Sequence, residues 1–191
     1  MEAQELIQKL KQGDQAAFAL LVDLHQGRVY TTCLGFVFRQ EDAEDLTQEV
    51  FVEVYRSISK FEGRSSLSTW IYRIAVTKSL ELLRSWKRKK RAGKVLSLVG
   101  LQAVGFDLPA NACDHPGIQL ENKETERRLF GAIELLPENQ RIAFTLCKID
   151  GQSYNEAAEI MAVSVSSIES LLFRARKNLK QRLEKFYQEE F

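Results

Sequence analysis

Ser166, Ser167, Ser170, Phe173, Arg174 and Lys177 recur on one side of a segment that opens at Ser164. Small hydroxyls let a helix lie close to another surface, and the bases can hold phosphates or base edges. This is the chemistry of a helix laid in a DNA groove. A solvated basic face on an ordinary helical hairpin would have the same composition, so the cluster alone leaves both readings open. Glu169 sits among these residues. A carboxylate there repels phosphate unless it accepts a hydrogen bond from cytosine N4 or holds a neighbouring arginine.

Three more clusters invite the same question. From Arg84 to Lys94 there are seven bases and no acid, more than a helix end needs to complement its dipole. Arg84, Lys87 and Arg88 are therefore candidates to neutralise phosphates, with a steep salt dependence. Just upstream, Phe61, Arg64, Ser65, Ser66, Trp70, Tyr72 and Arg73 interleave aromatics, bases and small hydroxyls. Such a set offers stacking surfaces and phosphate partners to a single strand, although the spacing of Trp70 with Leu67 and Ile74 also suits a core position. From Glu41 to Glu53 there are six acids and no base. Asp42, Asp45, Glu49 and Glu53 line one helical face, either solvated or free to meet a positively charged protein.

Signs of catalysis are thin. His25 lies at a core spacing, and Cys113-Asp-His115 has the wrong spacing for a structural zinc half-site. There is no phosphate-binding glycine loop and no local nucleophile signature. We expect no catalytic residue, no metal and no cofactor.

These clusters need helices to position them. Glycine and proline are sparse, which favours helix over a turn-rich sheet fold. A short amphipathic helix ends at Gly13, and Asp14 caps a longer one through about Phe38. A third helix covers about Glu41 to Ser59, with Leu46, Val50, Val54 and Ile58 on its buried side. After a loop at Gly63 a fourth starts near Leu67 and runs into the basic segment. Ala92 to Asn122 has weak periodicity with Pro109 and Pro116, and at about 30 residues it is long for a connection inside one compact domain. Beyond it, a helix from Lys123 to Leu136 is followed by one that Pro137 opens. The pattern Ser153-Tyr-Asn-Glu156 is a capping box, Ala162 and Val163 form a turn, and Ser164 caps the last helix. Its stripe is Ile168, Leu171, Leu172, Ala175, Leu179 and Leu183. Short helix, tight turn and longer helix make a helix-turn-helix.

The fold class is thus all-α: two small helical domains, residues 1–93 and 122–191, joined by a flexible linker over 94–121. Each core is modest, so the domains are expected to move relative to one another in the free protein. The net charge of +1 hides one acidic and two basic surfaces. No apolar run approaches the roughly 20 residues that span a bilayer, and the acidic N-terminal stretch is unlike a signal peptide. The cytoplasm is the expected location. Cys33, Cys113 and Cys147 suggest no disulfide framework, and Cys33 and Cys147 are read as buried and inert.

The stretches Asp42-Ala-Glu-Asp-Leu-Thr-Gln-Glu-Val-Phe51 and Phe61-Glu-Gly-Arg-Ser-Ser-Leu-Ser-Thr-Trp-Ile-Tyr-Arg-Ile-Ala75 resemble conserved region 2 of bacterial extracytoplasmic-function (ECF) sigma factors. Leu136-Pro-Glu-Asn-Gln-Arg141, Gly151-Gln-Ser-Tyr-Asn-Glu156 and Phe173-Arg-Ala-Arg176 resemble region 4. The order is right, and the pair of blocks is far more specific than either one. The resemblance implies partners: core RNA polymerase, promoter DNA and an anti-sigma factor, which in many members is membrane-bound. It implies that Asp42, Asp45, Gln48, Glu49 and Glu53 dock on the polymerase clamp helices. It implies minus-ten recognition by Phe61, Arg64, Ser65, Ser66, Trp70, Arg73, Thr77, Arg84, Lys87 and Arg88. It implies minus-thirty-five recognition by Ser164, Ser166, Ser167, Ser170, Phe173, Arg174 and Lys177. Thr77 stands where many relatives carry Asn, and Glu169 and Leu171 where many carry Arg, so base preferences cannot be copied across. A stand-alone DNA-binding regulator would need only the second block, and a pure interaction scaffold neither.

Overall fold

The structure, a computed structural model, describes residues 3–98 and 123–188. Eight helices account for nearly all of it, and no strand occurs among the described residues. Helix α1 (Ala3–Lys11) ends in a turn, and the Ala17 amide donates to Asp14 Oδ1 at 3.0 Å to start α2 (Gln15–Val37). Helix α3 (Gln40–Ser57) tightens into a 3-10 turn over Ile58–Lys60. Helix α4 (Leu67–Leu98) begins where the Thr69 amide donates to Ser66 Oγ at 3.0 Å. Helices α2, α3 and α4 pack together around Leu21, Val29, Leu34, Leu46, Val50, Val54, Ile71 and Ala75.

The second set is α5 (Lys123–Glu134), α6 (Glu138–Phe144), a π-helical turn Thr145–Ile149, α7 (Tyr154–Met161) and α8 (Val165–Gln188). Its core gathers Ile133, Leu146, Ile168, Leu172 and Ala175. Pro137 is the cap of α6 rather than its first helical residue, with ψ of 142°. The expected stripe on α8 does face inward. Helix α4 continues to Leu98, five residues past the expected domain end. The remaining expected linker, 99–121, lies outside the described residues.

The two sets of helices pack against one another. Helix α2 packs on the π-helical turn and α4 on α7. The reason is a close helix approach at Gly35. A Cβ placed there would lie 2.8 Å from Thr145 Cγ2 and 3.1 Å from Ile149 Cγ2. Next to it, Phe38 stacks on Phe130 with ring centroids 4.3 Å apart.

Candidate nucleic-acid and protein interfaces

The acidic face of α3 divides. Asp45, Gln48 and Glu49 are exposed side by side, free to meet a partner. Asp42 is half-buried and pairs with Arg39 at 2.8 Å, and burial pushes its carboxyl above the usual aspartate range. Glu53 turns toward α4 and lies 3.6 Å from Lys78 Nζ. Asp42 and Glu53 therefore have basic partners, Arg39 just before the acidic run and Lys78 on α4. Beside Gln48 a groove of about 520 Å³ opens between α2 and α3, lined by Phe18, Val22, Phe51, Val52 and Tyr55. Sequence reasoning missed it. Val52 and Tyr55 are apolar but lie off the core stripe of α3, each about half exposed, and that mismatch was the available signal.

The loop before α4 places its residues unevenly. Gly63 has a φ of +74°, a left-handed conformation that L side chains rarely adopt. Arg64 projects into solvent with Glu62 at 2.6 Å, and Ser65 is half-buried. Ser66 spends its hydroxyl on the cap of α4. Phe61, read as a stacking surface for a base, is buried at 4% exposure against Trp70, so here it holds the loop down. Trp70, Arg73, Ile74, Thr77, Lys78, Glu53 and Glu81 line a hollow of about 330 Å³ along α4. Thr77 is exposed and donates to the Arg73 carbonyl at 2.8 Å. Lys87 and Arg88 are exposed further along the helix.

The helix-turn-helix forms as its caps dictate. Glu156 N donates to Ser153 Oγ at 3.2 Å while Ser153 N donates to Glu156 Oε2 at 2.8 Å. Ala162 turns the chain at φ 54°, and Ser167 N donates to Ser164 Oγ at 3.2 Å to open α8. Ser164, Ser166, Glu169, Ser170, Phe173, Arg174 and Lys177 are exposed on the outer face, Phe173 most of all at 70%. Ser167 is half-buried against Ser164.

The comparisons agree with this layout. Sigma-70 region 2 matches residues 21–90, and sigma-70 region 4 matches residues 126–179. The ECF RNA polymerase sigma-E factor of Haemophilus influenzae is 35% identical over 95% of both chains. That of Escherichia coli K12 is 33% identical, covering 95% of this chain and 94% of its own. This chain belongs to the ECF sigma factors. Among solved structures, CnrH in complex with the cytosolic domain of CnrY has a similar fold, with a TM-score of 0.64 at 21% identity, over 96% of this chain and 97% of its own. The sigma factor RpoE bound to the anti-sigma factor NepR, from Bartonella quintana, scores 0.58 at 22% identity, over 87% and 96%. Helices α2 to α4 are thus region 2, and α5 to α8 are region 4.

Seen as two sigma regions, the contacts between them include two residues expected to read the minus-ten element, Arg73 and Arg84. Arg73 Nη2 donates to the Glu159 carbonyl at 2.7 Å, and its Nε to the Ile160 carbonyl at 3.3 Å. Thr69 Oγ1 donates to Glu159 Oε2 at 3.2 Å. Arg84 makes a bidentate pair with Glu138, at 2.5 and 3.2 Å. On the other side of the seam, Thr32 Oγ1 donates to Asp150 Oδ2 at 2.8 Å, and Arg28 Nη2 to Gln152 Oε1 at 3.1 Å. None of this was legible in sequence, because each pair joins residues that are far apart in the chain.

Cys33 and Cys147 are buried, and burial pushes the Cys33 thiol up to about 12. Cys113 lies outside the described residues. No described helix is long and apolar enough to cross a membrane, and no cluster of metal ligands occurs among the described residues.

Proposed function

We propose a division of labour for this ECF sigma factor. Asp45, Gln48 and Glu49 on α3 dock on a basic surface of core RNA polymerase, helped by the apolar groove beside them. Asp42 and Glu53 position α3 through Arg39 and Lys78 rather than touching the partner. The loop at Arg64 and the α4 face at Trp70, Arg73 and Thr77 read the single-stranded minus-ten element. Arg84, Lys87 and Arg88 hold the flanking phosphates. The exposed face of α8 reads the minus-thirty-five element. The two domains are residues 1–93 and 122–191, a division supported by the start of α5 at Lys123, with α4 running on to Leu98.

The observation that carries this reading is the pairing of an exposed acidic face on region 2 with an exposed basic, hydroxyl-rich face on α8 in one chain. A regulator that binds DNA alone has no use for the first, and a protein scaffold none for the second. No step of the reading needs catalysis by this chain, since the polymerase does the chemistry in the cytoplasm. The sigma factors solved with anti-sigma factors make such a regulator an expected further partner.

Transcription by core polymerase from a library of promoter fragments, with and without the chain, tests the whole reading. A selected subset sharing two spaced elements is the expected result. Duplex binding by the chain alone, with no gain in specificity by polymerase, would favour the regulator. The docking face has its own test. Asp45→Lys with Glu49→Lys should abolish association with core polymerase while leaving helical content intact, because exposed charges of the wrong sign repel a basic surface. Normal association of the folded double variant sinks the docking assignment.

A further inference from the structure

We propose that Thr77 selects an amino-bearing base, cytosine or adenine, for the hollow along α4, because its hydroxyl can accept a hydrogen bond there but has no proton left to give. The inference rests on the sigma reading above and adds to it the chemical class of base that one position of the minus-ten element must carry.

The hollow favours a base over a phosphate. Its volume of about 330 Å³ lies within the range of small-ligand sites. Two carboxylates, Glu53 from α3 and Glu81 from α4, line it and repel a phosphate. Lys78 stands between them, 3.6 Å from Glu53 and 4.0 Å from Glu81, so its charge is matched within the hollow. Arg73 sends Nε and Nη2 to the Ile160 and Glu159 carbonyls of α7. Half-buried Trp70 adds aromatic surface to the lining, on which an unstacked base can lie.

The hydroxyl sets the preference. Thr77 is exposed, and its Oγ1 donates to the Arg73 carbonyl one turn back at 2.8 Å. A hydroxyl has one proton and two lone pairs, so with the proton committed to the backbone it presents an acceptor only. An ionised carboxylate is likewise an acceptor only. A base edge that meets Thr77, Glu53 and Glu81 therefore has to supply N–H. Cytosine N4 and adenine N6 supply it, whereas thymine presents O4 and guanine O6 in the corresponding place.

The test uses core polymerase with the full chain and with its Thr77→Val and Thr77→Ser variants. Valine keeps the branched shape without the hydroxyl, and serine keeps the hydroxyl. The site is exposed, and circular dichroism checks that helix content is kept. Each complex selects from promoter fragments randomised through the minus-ten element. At one position the wild type should prefer cytosine or adenine over thymine by on the order of tenfold. Thr77→Ser should keep that preference and Thr77→Val should lose it. The preferred base is then replaced by its analogue without the exocyclic amine, 2-pyrimidinone for cytosine or purine for adenine, in a single-stranded minus-ten oligonucleotide. The wild-type complex should lose on the order of tenfold in affinity and the Thr77→Val complex almost nothing, because amine and hydroxyl act as a pair. Equal losses in the two complexes would overturn the inference, as would a valine variant that selects the wild-type element. Both results leave the sigma reading standing while the wild-type complex selects promoters. No selection by the wild-type complex overturns the sigma reading, and this inference with it.

Discussion

Asp150 sits on the seam with Thr32 Oγ1 and Gln152 Nε2 each 2.8 Å from the same carboxylate oxygen. Burial is the largest influence on its carboxyl and pushes it above the ordinary aspartate range, and Glu156 on α7 pushes the same way. Hydrogen bonds from Gln152 and Thr32 and the charge of Arg28 pull it down but do not outweigh burial. Tyr72 on α4 faces the same group. The folded chain thus holds this proton more readily than the unfolded chain. The stability it contributes is complete below the ordinary aspartate value and is lost as pH rises through the raised one. Asp150→Asn keeps acceptor oxygen for both hydrogen bonds and removes the titration. Its melting temperature should exceed that of wild type near neutral pH, and the gap should close on acidification. A gap that is constant with pH would show that the carboxyl does not titrate in this window. The type of each such residue was legible in sequence, but its environment was not. Lys78 beside Glu53 and Trp70 beside Phe61 are neighbours only after folding, whereas Arg39 stands three residues before Asp42 and its pairing could have been read from spacing.

At the level of the element, local rules carried much further. Asp14, Ser153 and Ser164 were read as caps from residue type and spacing, and each accepts the expected backbone amide. The inward stripe of α8 fixes its outward face by simple periodicity, so the exposed set from Ser166 to Lys177 could be named without a structure. That face makes a measurable claim. Replacing Arg174 and Lys177 with Ala should weaken binding to duplex promoter DNA in the polymerase complex. The dependence of log affinity on log salt should flatten by about one unit per lost phosphate contact. An unchanged slope with unchanged affinity means that neither side chain touches the backbone. What periodicity could not supply was the edge of an element. Helix α4 passes through Gly93 to Leu98, since one glycine in a helix costs only about 1 kcal/mol.

The whole molecule is where the sequence was least informative. Two small cores joined by a long connection are what a freely articulated protein would look like, and the contacts between them join residues far apart in the chain: Gly35 with Thr145 and Ile149, Phe38 with Phe130, Arg73 with the end of α7 and Arg84 with Glu138. Hydrogen–deuterium exchange offers a view of the assembled particle. Bound to core polymerase, the chain should gain protection in α3, where Asp45, Gln48 and Glu49 are exposed, and unchanged protection there would sink the docking assignment.

The π-helical turn has a further consequence, in rotational phase. Its backbone hydrogen bonds reach back five and six residues, Asp150 N donating to the Thr145 carbonyl and Gln152 N to the Leu146 carbonyl, each at 2.9 Å. Relative to an α-helix, that is an extra residue threaded into the coil, worth about 100° of azimuth. Thr145 and Ile149 face Gly35, and Asp150 faces Thr32, with that added increment in place. Excising one residue from 145–149 would regularise the helix and swing everything after it around the axis. The helix-turn-helix would survive as a unit, pointed in a different direction from the bundle it now rests on.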